Sequence, residues 1–512
     1  MKVPLVTSDF LARAESVYGD RVGVIDEPTG PDSLGELTYG EVACRVRALQ
    51  AGLDELGVGA GERVAVVSPN AARHLELYYA VPASGRVLVP INFRLRAEEV
   101  GYIVEHSGAT VLLVDPEVHA DIPAVTAKHR FLLGAESDAA LLRFDREPAP
   151  WVDASEDATA TINYTSGTTA RPKGVQLTHR NIYLNALTFG LHAGVNDWDT
   201  YLHTLPMFHA NGWGMLWTAA SLGVPQVVLR KVDGTEILRR IEQHEVTFMC
   251  AAPAVVNAIL DAAPSWEGPI PGRDRAARVI CAGAPPPSKT VERIEDELGW
   301  EFCEIYGLTE TSPLLTINRR QREDADRPVS EISKQLSRAG APALGVTVRI
   351  SDSGEVLARS NVVLDGYWQQ PEVTAAALEG GWFHTGDGGV VEDDGYLVIS
   401  DRKKDVIITG GENVSSIEVE DCLYAAAGVA ECAVIGVPDE RWGETIKAIV
   451  VRIPGEECSE ADLIAHCKQR MAGYKAPTSI DFVEVIPRTA TGKVQKFKLR
   501  EPYWSGRDRQ VN

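Results

Sequence analysis

Short runs of apolar residues alternate with amphipathic segments from residue 63 onward. The runs RVAVVS, RVLVPIN and ATVLLVD are separated by the helix-like stretches HLELYYAVPASG and RAEEVGYIVEHSG. Continuous apolar runs of this length are typical of strands that are buried on both faces, and their alternation with helices indicates a parallel sheet. The same rhythm returns over residues 224–299, so the pattern predicts two α/β blocks that flank the segment 160–215.

The pattern changes from about Val346 to short alternating strands. The turns Asp352-Ser-Gly354 and Asp393-Asp-Gly395 separate these strands, which predicts an antiparallel region. Beyond Ser415 the chain has apolar runs and amphipathic helices of its own, enough for a small α+β domain. We therefore predict an α/β fold with a large N-terminal domain, residues 1–401, that includes the antiparallel region, and a small C-terminal domain, residues 402–512.

The composition excludes several classes of protein. The 512 residues include 50 Lys and Arg against 72 Asp and Glu, so the formal net charge is −22, which argues against a nucleic-acid-binding protein. The chain has no apolar run that is long enough for a signal peptide or a membrane span. The eight cysteines form no C-x-x-C pair, so we interpret them as reduced, buried thiols. We predict a cytoplasmic protein without an integral membrane segment, present as a monomer or a homodimer.

The strongest local motif is YTSGTTARPKG, residues 164–174. Its small hydroxyl and glycine residues allow backbone N–H groups to approach an anion, and Lys173 adds a positive charge. It is not a Walker A loop, because Pro172 precedes the lysine and Gly174 follows it. The motif predicts a phosphate-binding loop; a flexible surface loop rich in serine, threonine and glycine is the alternative.

Four further segments carry candidate chemistry, although each alone has an ordinary structural explanation. YGLTET, residues 306–311, offers an aromatic ring for a purine and a carboxylate for Mg²⁺. TGD, residues 385–387, ends in a carboxylate that suits ribose hydroxyl groups. The other two are DRKKDVIITGGEN, residues 401–413, and PRTATGK, residues 487–493. Their occurrence together in one chain favours a functional interpretation over the separate structural explanations.

Taken together and in this order, the five motifs resemble those of the adenylate-forming superfamily. This group of AMP-dependent synthetases and ligases contains acyl-CoA synthetases, adenylation domains of peptide synthetases and beetle luciferases. The resemblance extends from LTYGEV near Leu37 to Lys493, and PMFHANGW, residues 206–213, is similar to the fatty-acyl-CoA synthetase-like branch. It implies an enzyme that converts a small-molecule carboxylic acid and ATP to an acyl-adenylate and diphosphate, and then transfers the acyl group to coenzyme A (CoA).

The resemblance also implies roles for individual residues. ATP would be bound by Thr165, Ser166, Gly167, Thr168, Thr169, Lys173, Gly283, Ala284, Pro285, Glu304, Tyr306, Gly307, Thr309, Asp387, Arg402, Lys404 and Lys493, and Mg²⁺ by Thr165 and Glu310. Lys493 would be the main catalytic residue, together with Glu310, Thr169 and His209. The acyl group would contact His209, Gly212 and Trp213. Gly410 and Gly411 would line the path of CoA, and Lys404 would be the hinge about which a mobile small domain rotates between the half-reactions.

Three positions depart from the family pattern. Ala170 replaces a glycine in the phosphate loop, Glu304 replaces a glutamine, and Ile408 occupies a position where some long-chain members have lysine. The main alternative function is an acyl-AMP ligase that loads a carrier protein; a luciferase-like oxygenase and a catalytically silent binding or scaffold protein are further alternatives. Fatty acids and natural-product carboxylic acids both remain open as substrates.

Overall fold

The fold is built on four β-sheets. The structure is a computed structural model that describes residues 1–122, 125, 127–165, 171–402, 405–409, 412–439, 442–489 and 493–505. For residues 401, 402 and 413 it describes only the backbone. Up to residue 193 the elements are α1 Ser8–Tyr18, β1 Val22–Ile25, β2 Glu36–Thr38, α2 Tyr39–Glu55, β3 Arg63–Val67, α3 Ala72–Ala83, β4 Val87–Ile91, α4 Ala97–Ser107, β5 Ala109–Val114, β6 His129–Leu132, α5 Ala135–Leu141, β7 Thr159–Thr165, β8 Lys173–Thr178 and α6 His179–Ala193.

The middle of the chain continues the alternation of strands and helices. Its elements are β9 Tyr201–His203, α7 Met215–Leu222, β10 Gln226–Val228, α8 Gly234–Gln243, β11 Phe248–Ala251, α9 Pro253–Ala262, β12 Arg278–Cys281, α10 Ser288–Arg293, β13 Glu301–Gly307, β14 Leu314–Arg319, α11 Val329–Leu336, β15 Ala341–Pro342, β16 Val346–Ile350, β17 Glu355–Ser360, β18 Gly366–Tyr367, α12 Pro371–Ala377, β19 Phe383–Val391 and β20 Leu397–Arg402.

The last part of the chain forms elements of its own. They are β21 Ile407–Thr409, β22 Glu412–Val414, α13 Ser416–Tyr424, β23 Val429–Asp439, β24 Gly443–Arg452, α14 Glu460–Arg470, β25 Ser479–Phe482 and α15 Lys496–Trp504. Ser415 caps the N-terminus of helix α13: its side chain accepts a hydrogen bond from the Glu418 N–H, which satisfies an otherwise unpaired donor.

Two large sheets are mostly parallel and carry antiparallel strands at their edges. The seven-stranded sheet has the order β18-β8-β7-β4-β3-β5-β6, and the nine-stranded sheet has the order β15-β14-β13-β12-β11-β9-β10-β1-β2. Strands β16, β17, β19 and β20 form an antiparallel sheet. The fourth sheet has the order β22-β21-β24-β23, with β25 pairing beside β24.

The hydrophobic core is divided among these layers. Helices α2 and α3 pack on β3 and β5 and also reach β1 and β10, so they lie between the two large sheets. Helices α8 to α11 cover one face of the nine-stranded sheet, and α6 and α7 cover the opposite face. Around α13 and α14 a separate cluster, which includes Val419, Leu423 and Val434, gives the last part of the chain its own core.

The predicted α/β class is confirmed, including parallel pairing of β3, β4 and β5 and an antiparallel region after Val346. The interpretation of all eight cysteines as buried thiols is wrong for Cys44, which is exposed, and for Cys422, which is half-buried. Among the helices of the described ranges, none combines the length and apolar character that crossing a bilayer requires. The boundary at residues 401 and 402 stays a prediction.

Candidate active site

The candidate site lies at the carboxyl ends of β12 and β13, which are neighbouring parallel strands. In open α/β sheets this edge is the usual location of a ligand-binding crevice. Gly307 ends β13, and a Cβ atom at this position would lie 1.6 Å from the carbonyl oxygen of Pro313. Only glycine fits such a close approach of two backbone segments. The chain then enters the short 3₁₀ helix Thr309–Thr311, which carries Glu310 and the buried Thr309.

Tyr306, which precedes Gly307 on β13, contacts Asp387. The Tyr306 hydroxyl donates a hydrogen bond to Asp387 Oδ2 at 2.8 Å, and Asp387 is 6% exposed. Asp387 lies on β19 directly opposite Arg402 on β20. The structure therefore brings together two predicted nucleotide-binding side chains and the backbone of a third predicted residue.

Lys173 and Glu310 are linked through Tyr367, a residue that the sequence analysis missed. Lys173 Nζ lies 5.2 Å from the centre of the Tyr367 ring, and the Tyr367 hydroxyl donates to Glu310 Oε1 at 3.0 Å. Burial and the neighbouring Glu310 carboxylate raise the pKa of Tyr367. The hydroxyl therefore remains protonated and can orient the carboxylate. The order of the motifs gives no sign of this contact, because Tyr367 lies outside all of them.

The β7–β8 hairpin brings Thr165 opposite Lys173. The rest of the predicted phosphate loop lies between these two residues and outside the described ranges; it consists of Ser166, Gly167, Thr168, Thr169 and Ala170. The predicted hinge residue Lys404 and the predicted CoA-binding residues Gly410 and Gly411 also lie outside the described ranges. The hairpin geometry therefore places both ends of the predicted loop beside each other.

Lys493 extends from the last part of the chain into this site. A Cβ atom built on Gly283 would lie 3.5 Å from Lys493 Cε, and Ala284 and Pro285 follow Gly283 in the same loop after β12. The Lys493 N–H donates to Thr489 Oγ1 at 3.1 Å, while the Thr489 N–H donates to the Lys493 carbonyl at 2.7 Å. These two hydrogen bonds hold the lysine next to the predicted adenine-binding loop.

His209, in the predicted acyl-binding segment, is influenced by the same cation. Its imidazole is only partly exposed, and desolvation, together with the nearby Lys493 ammonium, lowers the pKa of His209 to about 3. The ring is therefore neutral at physiological pH, when it can donate or accept a hydrogen bond but adds no positive charge. The positive charge at this position comes from Lys493.

The segment after His209 forms an unusual left-handed turn. Ala210, Asn211, Gly212 and Trp213 all have positive φ angles, of 39°, 49°, 54° and 55°. Three of them carry a Cβ, so the conformation is strained. The Asn211 side-chain amide donates to Thr161 Oγ1 at 3.0 Å, and this contact ties the turn to β7. Trp213 is 4% exposed.

Glu304 is a buried carboxyl group on β13, two residues before Tyr306. It is 4% exposed, and its Oε2 atom has no hydrogen-bond partner among the described residues. Burial raises the pKa of Glu304 well above 4.5. Burial therefore favours the neutral carboxyl group, which can act as a hydrogen-bond donor, like the glutamine amide that the sequence resemblance leads one to expect here.

The charges suit a polyphosphate substrate better than a metal bound by the protein alone. Lys173 and Lys493 supply cations, while Glu310 supplies one carboxylate. Within the described ranges, no group of three or more His, Cys, Asp or Glu side chains could hold a metal ion. Mg²⁺ commonly binds through one or two carboxylates plus phosphate oxygens of the substrate, so Glu310 and Thr165 fit this mode.

Comparison with protein families gives two matches along the chain. The AMP-binding enzyme family matches residues 11–368, and the AMP-binding enzyme C-terminal domain matches residues 418–493. A 2-methylpropanoate–CoA ligase of Humulus lupulus is 36% identical, with 97% of this chain and 95% of the relative covered.

Two solved structures are similar over nearly the whole chain. An anthranilate CoA ligase in complex with anthranoyl-AMP has a TM-score of 0.86 and 26% identity, covering 98% of this chain and 99% of its own. A fatty acyl CoA synthetase of Mycobacterium tuberculosis has a TM-score of 0.72 and 33% identity, with the same coverage of 98% and 99%.

Proposed function

The chain belongs to the AMP-binding enzyme family, and on this premise we propose that it is an ATP-dependent acyl-CoA synthetase. It converts a carboxylic acid, ATP and CoA to an acyl-CoA, AMP and diphosphate. In the first half-reaction a carboxylate oxygen attacks the α-phosphorus of ATP and diphosphate leaves. In the second, the CoA thiol attacks the acyl carbonyl and AMP leaves.

The position of Lys493 beside Gly283 and His209 is the observation that carries this proposal. Adenylate formation brings an anionic carboxylate to an anionic phosphate, so the transition state needs a cation close to both. Lys493 is the cation that reaches the loop after β12. We propose that its ammonium group binds the α-phosphate and the acyl oxygen, and that the neutral His209 ring orients the acid by a hydrogen bond.

Other predicted residues would bind the remaining parts of ATP, namely the β- and γ-phosphates, the ribose and the associated Mg²⁺. Thr165 and Lys173 flank the loop that would bind the β- and γ-phosphates, and Asp387 would accept hydrogen bonds from the ribose. Tyr367 orients Glu310 through its hydroxyl. Glu310 and Thr165 would hold Mg²⁺, which would neutralise part of the phosphate charge. Glu304 would present a neutral hydrogen-bond donor beneath the nucleotide.

The second half-reaction requires Lys493 to leave the site, because the CoA thiol must reach the same carbonyl. We propose that the small C-terminal domain rotates about Lys404, and that Gly410 and Gly411 then line the path of the thiol. Hinge closure of this kind allows one site to perform two reactions. The separate core around α13 and α14 supports movement of this part as a unit.

We propose that the acid has an apolar or aromatic acyl group. Trp213 and Ala210 belong to a buried apolar cluster with Leu205 and Ile305, which suits a hydrocarbon chain or a ring. The similar proteins are named for acids of both kinds. One is a ligase of the branched acid 2-methylpropanoate, one of the aromatic acid anthranilate, and one is a fatty acyl CoA synthetase. Acid-dependent AMP release with a panel of branched, aromatic and fatty acids, measured with and without CoA, would identify the acid and its acceptor.

Replacing Lys493 tests the catalytic proposal. Lys493→Ala should reduce acid-dependent exchange of diphosphate with ATP by at least about 100-fold, because a charge that acts mainly in the transition state is removed. Formation of acyl-CoA from supplied acyl-adenylate and CoA should remain. Lys468→Ala, which changes an exposed lysine of α14, is the matched control. Equal loss of both half-reactions in a folded variant would contradict the proposed role.

A further inference from the structure

Helix α13 contacts the large part of the chain through the carboxylate of Asp421, among other contacts. Asp421 Oδ1 accepts two hydrogen bonds from Ser288, one from its N–H at 2.9 Å and one from its hydroxyl at 3.0 Å. Ser288 is the first residue of α10, which belongs to the layer that covers β12 and β13. The contact therefore joins two elements that are 133 residues apart and belong to different cores.

A cation of the large part lies near the same turn of α13. Burial raises the pKa of the Cys422 thiol, and the Lys334 ammonium of α11 is one of the smaller influences that lower it. The Asp421 carboxylate thus accepts hydrogen bonds from two neutral donors of α10.

The same helix holds the segment that carries Lys493. Glu420, the neighbour of Asp421, forms an ion pair with Lys496, with Glu420 Oε1 and Lys496 Nζ 2.8 Å apart. Glu420 Oε1 also accepts a hydrogen bond from the Val434 N–H at 2.7 Å. Lys496 begins α15, three residues after Lys493. Contacts on either side of α13 therefore connect α10 with the turn that places Lys493 in the site.

We propose that Asp421 is a positioning residue for adenylate formation, because its contact with Ser288 holds α13 on α10 and thereby keeps Lys493 beside Gly283. This inference rests on the proposed function. Asp421 and Ser288 are both half-buried, so water can replace the contact when the small domain moves away. The contact should stabilise the adenylate-forming arrangement without preventing the change to the second half-reaction.

The two half-reactions distinguish positioning from a general effect on folding. Asp421→Ala should lower acid-dependent exchange of diphosphate with ATP by about 10-fold, the effect expected for loss of hydrogen bonds to a partly solvated charge. It should leave unchanged, or raise, the formation of acyl-CoA from supplied acyl-adenylate. Asp421→Asn retains an acceptor oxygen and should recover most of the exchange activity. Glu457→Ala, at an exposed carboxylate before α14, is the control.

Equal loss of both half-reactions in Asp421→Ala, or full exchange activity in this variant, would overturn the proposal. Hydrogen exchange of the Ser288 amide provides a test that does not depend on activity. In the unmodified protein the amide should be protected by Asp421, and Asp421→Ala should remove this protection while Glu457→Ala retains it. If no acid supports diphosphate exchange, the proposed function fails, and the amide measurement then decides whether the docking contact exists.

Discussion

Glu304 shows how burial within the site favours the neutral form of a carboxyl group. Its pKa is raised because the side chain is buried, and its Oε2 atom has no partner among the described residues. Above pH 4.5 the unfolded chain releases this proton, whereas the folded protein retains it. The folded-state pKa is the higher one, so the stability that the group contributes is complete below pH 4.5 and decreases as pH rises towards the folded-state value.

We predict that Glu304→Gln removes this dependence. Between pH 5 and 8 the free energy of unfolding of the variant should increase relative to that of the unmodified protein, by up to about 1.4 kcal/mol per pH unit until the folded-state pKa is passed. Urea denaturation at several pH values would measure the difference, and Glu457→Gln would serve as an exposed control. A difference that is constant over this range would show that Glu304 is ionised in the folded protein.

The departure of Glu304 from the family pattern was visible in the sequence, but its protonation state was not. Burial of this carboxyl depends on β12, β14 and the helices above them, which come from distant parts of the chain. The same limit applies to Tyr367, which meets Glu310 across 57 residues, and to Asp421. Motif order predicts candidate site residues that belong to a recognisable motif, such as Lys173 and Lys493. It does not predict side chains that act through tertiary contacts.

At the scale of elements, apolar runs predicted the strands well where both faces are buried. Strands β3, β4 and β5 are examples, because uninterrupted apolar sequence is the physical requirement of a buried parallel strand. The short edge strands β2, β15 and β18 lack this signal, since two or three residues give no periodicity. The left-handed turn after His209 was also not predictable, because Ala210 and Trp213 have no intrinsic preference for positive φ that would compensate for the strain.

We predict that this turn depends on Thr161. Thr161 Oγ1 accepts hydrogen bonds from the side-chain amides of Asn211 and Asn163, at 3.0 and 2.9 Å, and all three residues are buried. Thr161→Val conserves shape but leaves both donors without this acceptor, which should cost about 2 kcal/mol of stability. The turn would also lose its tie to β7, so the KM for the acid should increase more than the KM for ATP.

Steady-state kinetics with each substrate varied in turn would measure this effect. Thr347→Val, at an exposed position on β16, is the matched control. An equal change in both KM values, or a loss of stability without any change in the KM for the acid, would contradict a role of Thr161 in positioning the acyl-binding segment.

At the scale of the whole molecule, buried histidines should dominate the response to mild acid. Burial lowers the pKa of His74, His179 and His203 to about 4, and burial together with Lys493 lowers that of His209 to about 3. In the unfolded chain the ordinary value is 6.5. The folded-state values are the lower ones, so the stability from these neutral rings is present above pH 6.5 and is lost as pH falls towards 4.

We therefore predict that unfolding at pH 5.5 is accompanied by proton uptake. Each of the four histidines should take up about one proton on unfolding. Three carboxyl groups act in the opposite direction, because burial raises their pKa in the folded protein and they release protons on unfolding; they are Glu304 and, to a lesser extent, Glu76 and Glu295. Calorimetry in buffers of different ionisation enthalpy would give the net number. In His179→Asn the uptake should be smaller by about one proton, since this histidine accepts a hydrogen bond from the Thr7 N–H and stays neutral when folded. Unchanged uptake in this variant would show that His179 is protonated in the native protein.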